Sequence, residues 1–103
     1  MTEDQQHLPG LAPDRKTTTW VYFAIRGGLF KIGYSKHPAE RARKLNLVVL
    51  RTWPGARPEE RWLQRRYRAF RVDDRHEYFY PNPQMMELLS VPDLRDLGCP
   101  THW

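Results

Sequence analysis

The Gly27-Gly28 pair constrains the fold of this chain more than any other feature. It separates Thr17-Thr18-Thr19-Trp20-Val21-Tyr22-Phe23-Ala24-Ile25 from Leu29-Phe30-Lys31-Ile32-Gly33-Tyr34, two β-branched and aromatic runs typical of strands. Glycines between such runs predict a hairpin, because the turns that match strand twist need positive φ at their central residues. With Gly27 and Gly28 as the loop, Arg26 pairs with Leu29, Ala24 with Lys31 and Tyr22 with Gly33. Strand alternation then puts Val21, Phe23, Ile25, Phe30 and Ile32 on the core side. Tyr22, Ala24, Lys31 and Gly33 fall on the opposite face.

The remaining elements follow from local signals. Pro38 to Asn46 reads as a helix with His37 or Ser35 near its cap, and Leu47-Val48-Val49-Leu50 as a short buried strand. Trp53-Pro54-Gly55-Ala56 reads as a turn, and Pro58 opens a helix to about Phe70. Arg71 to Glu77 reads as charged loop before the aromatic patch Tyr78-Phe79-Tyr80. Asn82-Pro83 caps a last helix through Leu89, and a short helical turn is expected after Pro92. The order strand, strand, helix, strand, helix, helix predicts an α+β domain with a small three-stranded antiparallel sheet. Residues 1–16 read as a loose acidic tail, 17–90 as the domain and 91–103 as a C-terminal extension.

Charge is distributed unevenly along the 103 residues. The chain as a whole carries +5, yet residues 15–80 hold sixteen basic and six acidic side chains, a net +10. That segment suits a polyanionic partner, nucleic acid first. A solvated basic surface is the alternative. One cysteine, Cys99, excludes an internal disulfide and multi-cysteine zinc sites. No apolar run approaches a membrane span, and the polar start lacks the pattern of a secretory signal, so a cytoplasmic setting without membrane contact is expected.

Two constellations carry chemistry. Gly33 leaves space across from the Tyr22 ring, and Lys31 sits diagonally within reach. A phenol beside an ammonium is a candidate proton-transfer site, since the positive charge favours phenolate. The other reading is an ordinary half-exposed strand face. In the second helix Arg57, Arg61, Arg65 and Arg68 recur away from the Leu63, Tyr67 and Phe70 stripe. They form a basic rail about 16 Å long that can track phosphates without reading bases. Glu59 and Glu60 both flank the apolar stripe, and periodicity does not choose between them.

Trp20-Val21-Tyr22, Lys31-Ile32-Gly33-Tyr34-Ser35 leading through Pro38 to Arg41, Glu60 with Leu63, and Glu77-Tyr78-Phe79 together resemble the GIY-YIG endonuclease superfamily. The resemblance is to its short phage and bacterial branch with a Lys-Ile-Gly second motif, and it covers residues 17–80. It implies hydrolysis of a phosphodiester, usually in DNA, at one divalent cation, Mg²⁺ or Mn²⁺. Tyr22 with Lys31 would activate or position water, Arg41 would hold the scissile phosphate, and Glu60 would be the metal ligand. Two departures stand out. Trp20-Val21 replaces the leading Gly-Ile, and Gln64 stands where many relatives carry histidine and cannot relay a proton. His76 is the candidate substitute for that role.

Three function classes follow. The first is a metal-dependent endonuclease on DNA, with RNA also open, cutting one strand at a time. A non-catalytic nucleic-acid-binding module of the same fold is the second, and a basic protein-interaction domain is the third.

Overall fold

The computed structural model describes residues 18–72 and 75–100, without the side chains of Arg75 and His76. The hairpin forms as the alternation requires: β1 (Trp20–Arg26) pairs antiparallel with β2 (Leu29–Ser35) in the register Arg26–Leu29, Ala24–Lys31 and Tyr22–Gly33. Gly27 and Gly28 take φ of 57° and 79°, the left-handed region that glycine enters without strain. A helix, α1 (Pro38–Leu45), follows, with His37 at its N-cap and Asn46 closing it in a left-handed conformation. Ser35 steadies the entry, its Oγ accepting the His37 backbone N–H at 2.9 Å.

The third strand is longer than the apolar run suggests and takes in part of the expected turn: β3 spans Val48–Pro54. It lies at the sheet edge, where Val48 is 61 % exposed. A proline is tolerated there because no neighbour needs its missing N–H. The β1–β3 register passes from Phe23–Arg51 to Ala24–Val49, so Leu50 is an extra residue. This bulge explains why the Leu47–Leu50 run does not alternate.

Helix α2 (Arg57–Arg66) ends sooner than the sequence suggests, and Arg68–Phe70 form a separate 3-10 turn. The segment read as charged loop holds two further strands, β4 (Arg71–Val72) and β5 (Arg75–Phe79), with β5 joining β2. The sheet therefore has five strands in the order β3-β1-β2-β5-β4, not three. Local composition hides these strands, since neighbours rather than propensity hold short charged segments in a sheet. The segment expected as a last helix, Gln84–Ser90, is 3-10, opened by Asn82 Oδ1 accepting the Met85 N–H, and Leu94–Leu97 makes a second such turn.

Both faces of the sheet are covered. On one side Val21, Phe23, Phe30, Ile32 and Trp53 pack with Leu63 of α2, with Tyr67 just past its end, and with Met85, Leu88, Leu94 and Cys99. Residues 91–99 thus pack into the main core, and Trp53 Nε1 donates to the Val91 carbonyl at 2.8 Å. On the other side Tyr22, Ala24 and Leu47 meet Ala42 and Leu45 of α1. The Tyr22 face is consequently buried rather than half-exposed. The acidic tail, residues 1–16, lies outside the described residues. No helix among the described residues is long and apolar enough to cross a membrane.

Gly33 shows how closely this second layer is fitted. The space expected across from Tyr22 is filled by the Tyr22 ring itself, and a Cβ on Gly33 would stand 2.6 Å from its Oη and 2.7 Å from Cζ. Gly33→Ala should therefore lower stability by about 1–3 kcal/mol, the usual range for overpacking a buried site. A denaturant midpoint equal to wild type would show that the ring moves aside freely.

Candidate functional site

The two halves of the site come from opposite faces of the sheet, and a gap in the sheet lets them meet. β5 pairs with β2 only at Phe30 and Lys31. Past that point the β5-facing edge of β2 is open, and α2 stands against it. Gln64 Nε2 donates to the Ile32 carbonyl at 3.2 Å, supplying a bond that a neighbouring strand would otherwise make. This placement brings the first turn of α2 around the edge to the Tyr22 layer.

There Tyr22, Lys31, Arg41, Arg57, Glu60 and Glu77 line one cleft of about 400 Å³. Tyr22 is 1 % and Lys31 2 % exposed, whereas Arg41 is exposed. Four sequence candidates, Tyr22, Lys31, Arg41 and Glu60, share this space. The side chain of the fifth, His76, lies outside the described residues.

Glu59 and Glu60 are separated by what they touch. Glu59 Oε1 accepts the Ala56 N–H at 2.8 Å, so it is a cap that satisfies a free helix donor. Glu60, 8 % exposed, turns into the cleft instead. Burial first, and then the neighbouring Glu77 charge, raise its pKa above the ordinary value. Arg57, Lys31 and a hydrogen bond from Gln64 offset this only in part.

Folded Glu60 thus keeps its proton to a higher pH than in the unfolded chain. Ionising it opposes folding as pH rises above the usual carboxylate range. Glu60→Gln should therefore melt higher than wild type near neutral pH. The gap should close in acid, where the carboxyl is protonated in both states. Equal melting temperatures at all pH values would remove this strain from the account.

Lys31 donates to Glu77 and lies 5.7 Å from the Tyr22 ring centroid and 5.0 Å from that of Tyr78. Burial works to lower its pKa, but Glu77 and Tyr22 outweigh it and hold the amine charged. Tyr22 departs from expectation. Burial raises its pKa more than Lys31 and Arg41 lower it, so the group is a neutral phenol, not a phenolate. Two paired strands could not reveal this, because the burial comes from Ala42, Leu45 and Leu47 packed over this face.

The arginine rail is also revised. Arg57, Arg61 and Arg65 lie on α2, but Arg68 sits in the 3-10 turn, where its Nη1 donates to the Arg65 carbonyl at 3.3 Å. Arg57 reaches the Tyr34 hydroxyl at 3.4 Å and lies 5.5 Å from that ring. Sequence reasoning did not place Glu77 beside Lys31, since it read residues 71–77 as loop. The Glu-aromatic-Phe element was the available signal.

Among the described residues, no three or more His, Cys, Asp or Glu side chains come together as a metal-binding group. The cleft does offer two carboxylates, Glu60 and Glu77, one of them unfavourably charged. That donor set fits a hard cation that takes one or two protein carboxylates and completes its shell from water and substrate oxygens. Comparison with family models, with curated proteins and with solved structures finds no match.

Proposed function

We propose that this protein is a divalent-metal-dependent endonuclease of GIY-YIG type that hydrolyses DNA phosphodiester bonds. The observation that carries the reading is the convergence of Tyr22, Lys31, Arg41 and Glu60 on one cleft, although they lie on four different elements. Spacing in the sequence alone does not require such convergence.

In this reading the cleft receives the scissile phosphate. Arg41 holds it through two oxygens and offsets the charge that builds as water adds to phosphorus and the bond to the neighbouring nucleotide breaks. Tyr22, as a neutral phenol, orients the attacking water by hydrogen bonding, and Lys31, held charged by Glu77, keeps the phenol in place. Glu60 is the carboxylate that would hold Mg²⁺ or Mn²⁺, and the metal when bound would supply Lewis acidity. Arg57, Arg61 and Arg65 extend positive charge from the cleft, as binding a polyanion requires.

A second reading, a nucleic-acid-binding module without catalysis, draws on Gln64, whose amide bonds Ile32 and which cannot relay a proton. Conversion of supercoiled plasmid to nicked circle in Mg²⁺ or Mn²⁺, abolished by chelator, tests the first reading against the second. Salt-sensitive binding to DNA but not to an acidic protein separates both from a protein-interaction domain.

A further inference from the structure

Beside the cleft lies a second groove of about 390 Å³, which shares Arg57, Glu60 and Glu77 with it. Its other walls are Arg61, Gln64 and Arg65 of α2 and Arg71 of β4. Two observations set this groove apart from a solvated basic surface. Arg66, directed away from it, is satisfied by Glu87 at 3.2 Å, whereas Arg61 and Arg65 have no ion pair among the described residues. Arg71 is also under-satisfied. Among the described residues, its Nη2 makes only a 3.5 Å contact with the Gln64 carbonyl, and its Nε is buried without a hydrogen-bond partner. A buried guanidinium N–H left unpaired opposes folding, while Arg71 itself lines the groove and adds its charge to that wall.

We propose that this groove is a second backbone-phosphate subsite, which binds the phosphate next to the scissile one on the same DNA strand. The proposal rests on the endonuclease reading for the word scissile, and on the groove alone for the phosphate. The two spaces share Arg57, Glu60 and Glu77 as walls, so they are neighbours, and a strand that runs past these side chains reaches both. Arg61, Arg65 and Arg71 approach the groove from two elements, and guanidinium forks suit phosphate oxygens. Glu60 and Glu77, at the shared end, disfavour an anion there and push the flanking phosphate towards Arg65 and Arg71. Contacts to backbone phosphates carry no sequence information, so the subsite sets strand position rather than sequence.

The test uses the whole protein, a short single-stranded oligodeoxynucleotide and chelator, so that binding is measured without cutting. Arg65→Gln removes an exposed charge, and Arg71→Lys keeps the charge and the stem but loses Nε and the fork. Each should raise the Kd about tenfold at low salt, and Arg65→Gln should lower the salt slope by about one. Both variants should melt within a few degrees of wild type, and Arg71→Lys should not melt lower, since it removes the orphaned donor. A neutral methylphosphonate at the flanking position should weaken wild-type binding, while Arg65→Gln should be insensitive to it.

Wild-type affinity in both variants overturns the subsite even if the protein cuts DNA. Binding losses as described, in a protein that never cuts in any divalent metal, leave the subsite standing and remove the endonuclease reading. Equal loss at every methylphosphonate position would mean diffuse attraction to the whole basic face, which also overturns the subsite.

Discussion

Glu60→Gln should reduce DNA cleavage to background while DNA binding persists or tightens. The substitution keeps the side-chain volume and the helix but removes the charge that a Mg²⁺ ligand needs. One anionic group also leaves the path of the phosphates. Glu59→Gln, one residue earlier in the same first turn, is the matched control. Its amide oxygen can still accept the Ala56 N–H, so the cap survives. Both variants lose the same helix-dipole contribution, about 0.3–1 kcal/mol, and that effect cancels in the comparison. A dead Glu59→Gln with an active Glu60→Gln would reverse the two roles. If both variants cut normally in a chelator-sensitive assay, the metal is held elsewhere and Glu77 is the next carboxylate to replace.

Tyr22→Phe should lower the cleavage rate by about 10²–10³-fold, the scale on which losing one hydrogen bond that is positioned for the transition state acts. The ring stays, so the packing over Gly33 and against α1 is preserved. A purely structural hydroxyl would lose at most about 1–2 kcal/mol of stability and leave the rate alone. Kinetics at saturating DNA separates the two, because a positioning role in the reaction appears in kcat rather than KM. The raised pKa gives a further signature. With Tyr22 neutral, cleavage should show no dependence on an ionisation of this phenol near neutral pH. Full activity in Tyr22→Phe would remove this residue from the mechanism.

The hairpin was legible residue by residue because two independent local constraints agree there. Gly27-Gly28 fixes the turn, and the period-two pattern of Val21, Phe23, Phe30 and Ile32 fixes the register. Farther along, the signals become non-local. Trp53-Pro54 carries turn residues, yet the edge position of β3 makes a strand proline harmless, and edge position is a property of the whole sheet. Likewise β4 and β5 are short and charged, and their order comes from pairing with β2 and with each other.

The site divides in the same way. Lys31 beside Tyr22 followed from strand geometry, and the structure keeps them together. The charge state of Tyr22 did not follow, since local charges favour phenolate while the overlying layer favours phenol more strongly. Glu60 was indistinguishable from Glu59 by periodicity, because both flank the Leu63 stripe. Only the bond from Ala56 to Glu59 tells cap from cleft. Arg71 had no sequence signal, standing in a segment that reads as loop.

The central claim is that the Tyr22, Lys31, Arg41 and Glu60 cleft hydrolyses DNA with a divalent metal. Its most direct measurement is a plasmid assay on wild type and Glu60→Gln, purified side by side so that any contaminating nuclease is present in both. The account expects wild type to convert supercoiled plasmid to nicked circle in Mg²⁺ or Mn²⁺ and to stop on addition of chelator, with Glu60→Gln inert throughout. Cleavage equal in the two preparations, or none by wild type in either metal, would contradict it.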